Sequence, residues 1–151
     1  MKKILYWAAV ILWMALIFFL SSQVAEQSNQ LSTGITEAIV NTIEKIIPDS
    51  EYAVEGLNHI VRKNAHFIAY LVLGALTVNA LRSSGVHGYK GIIAALIICV
   101  IYAASDEIHQ LFVPGRGGQV TDVLIDSAGA LIGSGIIGIL CRKRHTGRGT
   151  T

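Results

Sequence analysis

His66, Asp106, His109 and Asp122 are the side chains best suited to move protons, orient a nucleophile or bind a metal, and each lies in or beside a long apolar run. An ionisable group near the centre of a membrane helix costs about 2.5–3.5 kcal/mol on insertion scales, so such groups persist when paired or when lining a wet cavity. They have company. Ser21, Ser22 and Gln23 close the first apolar run, and Arg62, Lys63 and Tyr70 bracket His66 at the start of the second. Ser105, Glu107 and Gln110 surround Asp106 and His109 at the end of the third; Arg116 follows in a short connection, with Asp126 one helical turn beyond Asp122. Arg62, Lys63 and Tyr70 fall three or four positions from His66, as His109 and Gln110 do from Asp106, and residues so spaced share a helix face. Glu107, turned about 100° from Asp106, is the weakest member of the set.

Three chemistries suit these residues. A metal site would draw on His66, Asp106, His109, Asp122 and Asp126, since imidazole suits zinc and carboxylates suit magnesium or manganese. No H-E-x-x-H signature accompanies them, and the sequence names neither a metal nor a cofactor. A nucleophilic site would set Ser21 or Ser22 against His66 or His109, oriented by Asp106 or Asp122, without the G-x-S-x-G elbow of hydrolases. A metal-free His–Asp pair is the third. In each, Ser22, Gln23, Arg62, Lys63, Tyr70, Gln110, Arg116 and Asp126 are the ligand-binding candidates, the planar guanidinium suiting a phosphate or sulfate headgroup. The plainer alternative is structural: Arg62 or Lys63 neutralises Asp106 or Asp122, and His66 hydrogen-bonds Tyr70. One or two pairs would tie helices together, so polar groups from four segments at one depth point beyond glue to a shared cleft.

Four apolar stretches deliver these residues, at about 4–20, 65–81, 91–112 and 122–141. Crossing a ~30 Å hydrocarbon core takes roughly 17–25 residues of helix, and backbone groups in lipid must be satisfied within the segment. The expected fold is therefore all-α: a polytopic membrane protein with four transmembrane helices and an external insert at 21–63. With 52% hydrophobic and only 15% charged residues over 151 positions and a mean hydropathy of +0.55, the chain reads as one membrane domain, 1–145, with a basic flexible tail at 146–151. All ten acids fall between Glu26 and Asp126, whereas Lys2, Lys3, Arg82, Lys90, Arg142, Lys143, Arg144 and Arg148 flank the runs on the other side. Excess Lys and Arg marks the cytoplasmic face, which places both termini and the 82–90 loop inside and the polar cluster at the outer face. The small net charge of +2 follows topology and forms no patch for nucleic acid.

Lys2 and Lys3 before an apolar run look like a secretory signal, but Gln23-Val24-Ala25 is a poor cleavage site, so the first span is expected to stay as an anchor. Leu31, Ile35, Ile39, Ile43 and Ile46 recur at helical spacing up to Pro48, which predicts an amphipathic helix that lies in the headgroup plane or, the favoured reading, packs over the bundle. A further helix from about Glu51 is expected to run into the second span. Gly129 with Gly133, and Ser134 with Gly138, give small-x-x-x-small spacing that lets helix backbones approach closely, within the monomer in preference to the alternative of a homodimer seam. Cys99 and Cys141 read as reduced packing residues.

Four blocks carry a family resemblance. Phe19-Leu20-Ser21-Ser22-Gln23, Arg62-Lys63-Asn64-Ala65-His66-Phe67 with Tyr70, the run from Ala104 through Asp106-Glu107-Ile108-His109-Gln110 to Pro114-Gly115-Arg116, and Asp122-Val123 with Asp126 and Gly129 resemble the VanZ family over roughly Phe19 to Gly133. The resemblance implies a small bacterial cytoplasmic-membrane protein of the cell envelope; the family's namesake confers low-level resistance to the glycopeptide teicoplanin. It names a context and no reaction, so whether this chain is an enzyme stays open. The expected partners are membrane lipids and, in the cleft, a lipid headgroup or lipid-linked cell-wall precursor. A non-catalytic binding or interaction protein and a small proton-coupled transporter are the alternatives, the last weakened by the apolar inner halves of the spans.

Overall fold

The computed structural model describes residues 1–23 and 53–146. Four helices account for nearly all of them: α1 (Lys2–Ser21), α2 (Ala53–Ser83), α3 (Gly88–Gln110) and α4 (Val120–Thr146), with no strand among the described residues. Each contains a stretch long and apolar enough to cross a membrane, the second being Ile60–Ser83 and the fourth Val120–Cys141. α2 starts at Ala53, in line with the helix expected from about Glu51 into the second span, so Arg62, Lys63 and His66 ride on continuous helix. α4 continues past the expected end of the fourth span at 141, to Thr146. The expected amphipathic helix of the insert and residues 147–151 lie outside the described residues.

The helices alternate in direction. The C-terminal end of α1 meets that of α3, where the Ser21 hydroxyl donates to Asp106. Its other end meets the close of α2, where Trp7 Nε1 donates to Ser84 Oγ at 3.0 Å. The middle of α1 is held by Trp13 Nε1 donating to the Ala69 carbonyl at 2.8 Å and by Tyr102 OH donating to the Met14 carbonyl at 2.6 Å.

Many large apolar side chains face outward, while the interior mixes small residues with a few large ones such as Tyr70 and Leu73. Leu5, Leu12 and Phe19 on α1, Ile93, Ile97 and Ile101 on α3, and Ile132, Ile136 and Ile139 on α4 are exposed, while Ala80, Ala95, Cys99, Ala103 and Ala130 are fully buried. In water so much exposed apolar surface would promote association. In lipid it is the favourable solvent face, and helices then associate by close packing. The tightest seam joins α2 to α4. A Cβ added at Gly129 would overlap the Phe67 carbonyl oxygen, one at Gly133 that of Leu71, and one at Gly74 that of Ala130. The small-residue spacing of α4 is thus used inside one chain.

Two turns set the ends of the bundle. Gly85, at φ 94°, closes α2 with Val86 N–H reaching Leu81 and Gly85 N–H reaching Arg82, each at 3.0 Å. This Schellman arrangement needs the left-handed conformation that glycine adopts freely, and it makes α2 and α3 antiparallel neighbours. At the opposite end Arg116 N–H bonds the Val113 carbonyl at 3.1 Å, with Pro114 and Gly115 (φ 77°) at the turn's centre. Proline followed by a positive-φ glycine is the signature of a type II turn, and it delivers Arg116 back toward the helices.

Candidate functional site

Polar side chains from α2, α4 and the α3–α4 connection surround a cavity of about 200 Å³. Arg62, Lys63 and His66 come from α2, Gln110 from the last turn of α3, Gly115, Arg116, Gly117 and Gln119 from the connection, and Asp122, Ile125 and Asp126 from the first turns of α4. Only Ile125 brings an apolar side chain. The α2–α4 seam explains the position: these helices touch at backbone distance around Gly129 and Gly133, and beyond the seam their polar ends open around the loop.

Lys63 Nζ lies 2.9 Å from Asp122 Oδ1, with both side chains about one quarter exposed. His66 Nδ1 lies 3.6 Å from Asp126 Oδ2, a charge contact too long for a good hydrogen bond. Asp126 is 1% exposed, and neither carboxylate oxygen has a hydrogen-bond partner among the described residues. Arg116 donates through Nη2 to the Leu20 carbonyl at 3.4 Å, while its buried Nε has no partner there. Burial, and after it the neighbouring Arg62, pulls the Arg116 guanidinium below its ordinary pKa, from a starting value so high that it stays cationic.

A second polar layer is linked to the cavity through Gln110. Asp106, 2% exposed, accepts a 2.7 Å bond from Ser21 Oγ and a longer 3.4 Å one from Gln110 Nε2. Glu107 is also buried and accepts the Gln119 N–H at 2.8 Å, which pins the connection just before α4. A carboxylate with so little exposure is stabilised by such donors.

The structure therefore distributes the sequence candidates over several environments. Of the four candidate catalytic residues, His66 and Asp122 line the cavity. Asp106 sits behind Gln110, and His109 turns toward α1, where its ring stacks on Phe18 at 4.4 Å. Arg62, Lys63, Gln110, Arg116 and Asp126 line the cavity as ligand-binding candidates. Ser22 and Gln23 do not; both donate to the Phe19 carbonyl of their own helix. Tyr70 is fully buried with its ring 6.2 Å from Tyr102, and the partner of His66 is Asp126, not Tyr70. Ser21 meets a carboxylate and Ser22 a backbone carbonyl, so neither serine is joined to an imidazole. Among the described residues no three His, Cys, Asp or Glu side chains group as a metal site requires. Gln119 and Ile125 were not foreseen as lining residues; their only signal is position, just before α4 and one residue before Asp126. Both cysteines are free thiols, with Cys99 buried.

Set against known proteins, the chain matches the family described as VanZ/LLP1 over residues 6–141. No curated protein matches it, and no solved structure does.

Proposed function

The chain belongs to the VanZ/LLP1 family, and from that premise we propose that it is a cell-envelope membrane protein whose cleft, open to the outer face, binds the anionic headgroup of a lipid or lipid-linked wall precursor and so alters sensitivity to teicoplanin-type glycopeptides. The observation that carries this reading is the charge of the cavity wall. Arg62, Lys63 and Arg116 stand against Asp122 and Asp126, and Lys63 is engaged with Asp122. Arg62 and Arg116 line the same cavity, and two guanidinium groups so placed gain from an anion between them, which the Arg fork binds through two parallel N–H bonds. The outward placement rests on the distribution of Lys and Arg along the sequence. It puts the cleft on the face where wall precursors are displayed.

Binding is favoured over covalent chemistry because the candidate nucleophiles are turned to other partners. Transport across the bilayer is disfavoured because the other half of the bundle is packed with Leu73, Val78, Ala80, Ala95 and Cys99, and Thr77 there bonds its own helix at Leu73. The test is to express the wild type and an Arg62→Ala/Arg116→Ala double variant in a susceptible bacterium and measure the teicoplanin concentration that stops growth. The wild type should shift it and the double variant should not, at equal accumulation in the membrane. Lys90→Ala, at the opposite end of the bundle, should behave as wild type. A double variant that still shifts the threshold removes the cleft from the function.

A further inference from the structure

The cavity contains two opposite demands. Arg116 Nε is a buried donor with no acceptor, and Asp126 is a buried carboxylate with no donor to either oxygen among the described residues. Both line the same space of about 200 Å³. A buried polar group left unmatched is destabilising, and more so when charged. The neighbouring groups leave the hydrogen-bonding part of these demands unmet. Lys63 is held by charge against Asp122 at 2.9 Å, whose Oδ1 is likewise without a hydrogen bond among the described residues; His66 pairs with Asp126 by charge at 3.6 Å, beyond a good hydrogen bond; and Gln110 points its amide nitrogen at Asp106.

A simple phosphate would satisfy Arg116 and Arg62 but would bring its negative charge toward the undonated Asp126. A polyol would donate to Asp126 and leave the guanidinium groups without a charge partner. A ligand that meets both carries an anion at one end and N–H donors at the other. We infer that the cleft takes an amphoteric phosphate ester with a primary ammonium a few bonds from the phosphate, the chemistry of an ethanolamine phosphate headgroup. The phosphate lies between Arg62 and Arg116, and the ammonium donates to Asp126. Because every lining side chain but Ile125 is polar or absent, the acyl chains of such a lipid stay outside the cavity, against the exposed apolar faces of the helices. A quaternary ammonium has no N–H to give Asp126, so the site distinguishes the primary amine from its trimethylated analogue by hydrogen bonding as well as by size. This inference rests on the headgroup-binding reading above and adds the second recognition element to it.

The full chain in maltoside micelles, free of phospholipid, is titrated with O-phosphoethanolamine, phosphocholine and inorganic phosphate, binding being read from broadening of the ligand phosphorus resonance. O-phosphoethanolamine should bind about tenfold or more tightly than either of the others, the size expected for one charge-assisted hydrogen bond in a buried site. Asp126→Asn should abolish that preference while still binding inorganic phosphate, which also shows that the variant is folded. Equal binding of all three ligands to the wild type, or a preference that survives Asp126→Asn, overturns the amphoteric assignment and leaves the anion site standing. Saturable binding of none of the three overturns both.

Discussion

Alanine at Gly133 gives a measure of how closely the site depends on helix packing. In an open stretch of helix, replacing glycine by alanine stabilises by roughly 0.5–1 kcal/mol, because glycine has more backbone freedom to lose. Gly135 is such a position, with nothing within 4 Å of an added Cβ. Gly133, two residues earlier on the same helix, is the opposite case. Its Cβ would overlap the Leu71 carbonyl oxygen and come within 2.8 Å of the carbonyl carbon and 3.1 Å of Leu71 Cα. No side-chain rotation relieves that contact, since every obstacle is backbone. Either α2 and α4 part or one of them bends. Overpacking in a well-filled interior costs typically about 1–3 kcal/mol, and a rigid obstacle places this case in the upper half of that range. Set against the propensity gain, Gly133→Ala should be net destabilising by roughly 1–2 kcal/mol, and Gly135→Ala neutral or slightly stabilising. The assay is unfolding of the purified protein in mixed micelles by titration with a denaturing detergent, followed by loss of helical circular dichroism. The change should also reach the cleft, because Lys63–Asp122 and His66–Asp126 sit across the same pair of helices. Equal stability of the two variants would refute the backbone contact between α2 and α4, and with it the explanation of where the cavity opens.

Three further outcomes follow from particular contacts. In a double-mutant cycle, Lys63→Ala and Asp122→Ala should couple by about 0.5–1 kcal/mol, as expected for an ion pair one quarter exposed; additive effects would dissolve the pair. Ser21→Ala, which removes the 2.7 Å donor to buried Asp106, should destabilise by about 1.5–3 kcal/mol, whereas Ser22→Ala, which loses only a bond to its own helix, should stay within about 0.5 kcal/mol. Reporter fusions after Ser84 and after Gly117 should read cytoplasmic and external respectively, following the Lys and Arg distribution; the reverse pattern would move the cleft to the inner face and end the proposal about wall precursors.

The number and rough limits of the spans were legible because bilayer thickness is a length, and a length can be read from a run of apolar residues. The gathering of polar groups at one end was legible for a related reason: once the spans alternate, depth follows from position along each one. Rotation about the helix axis is different. Spacing shows that Asp106, His109 and Gln110 share a face, yet a helix face is about 100° wide or more, and neighbours on two sides divide it. Gln110 reaches the cavity, Asp106 meets α1 through Ser21, and His109 is taken by Phe18. The same limit separates Ser21 from Ser22, adjacent in sequence and about 100° apart on the helix, of which only the first is buried. Glu107 shows the limit most sharply. Its offset from Asp106 marked it as the weakest candidate, and it does not line the cavity, but it is buried because the connection folds back over it and Gln119 donates its N–H to it. That bond joins positions twelve residues apart across a proline–glycine turn, a partner that no periodicity within a single helix contains. The carboxylate lost from the cleft by rotation thus fixes the loop carrying Arg116, and the site depends on α3 for the position of its cation as well as for Gln110.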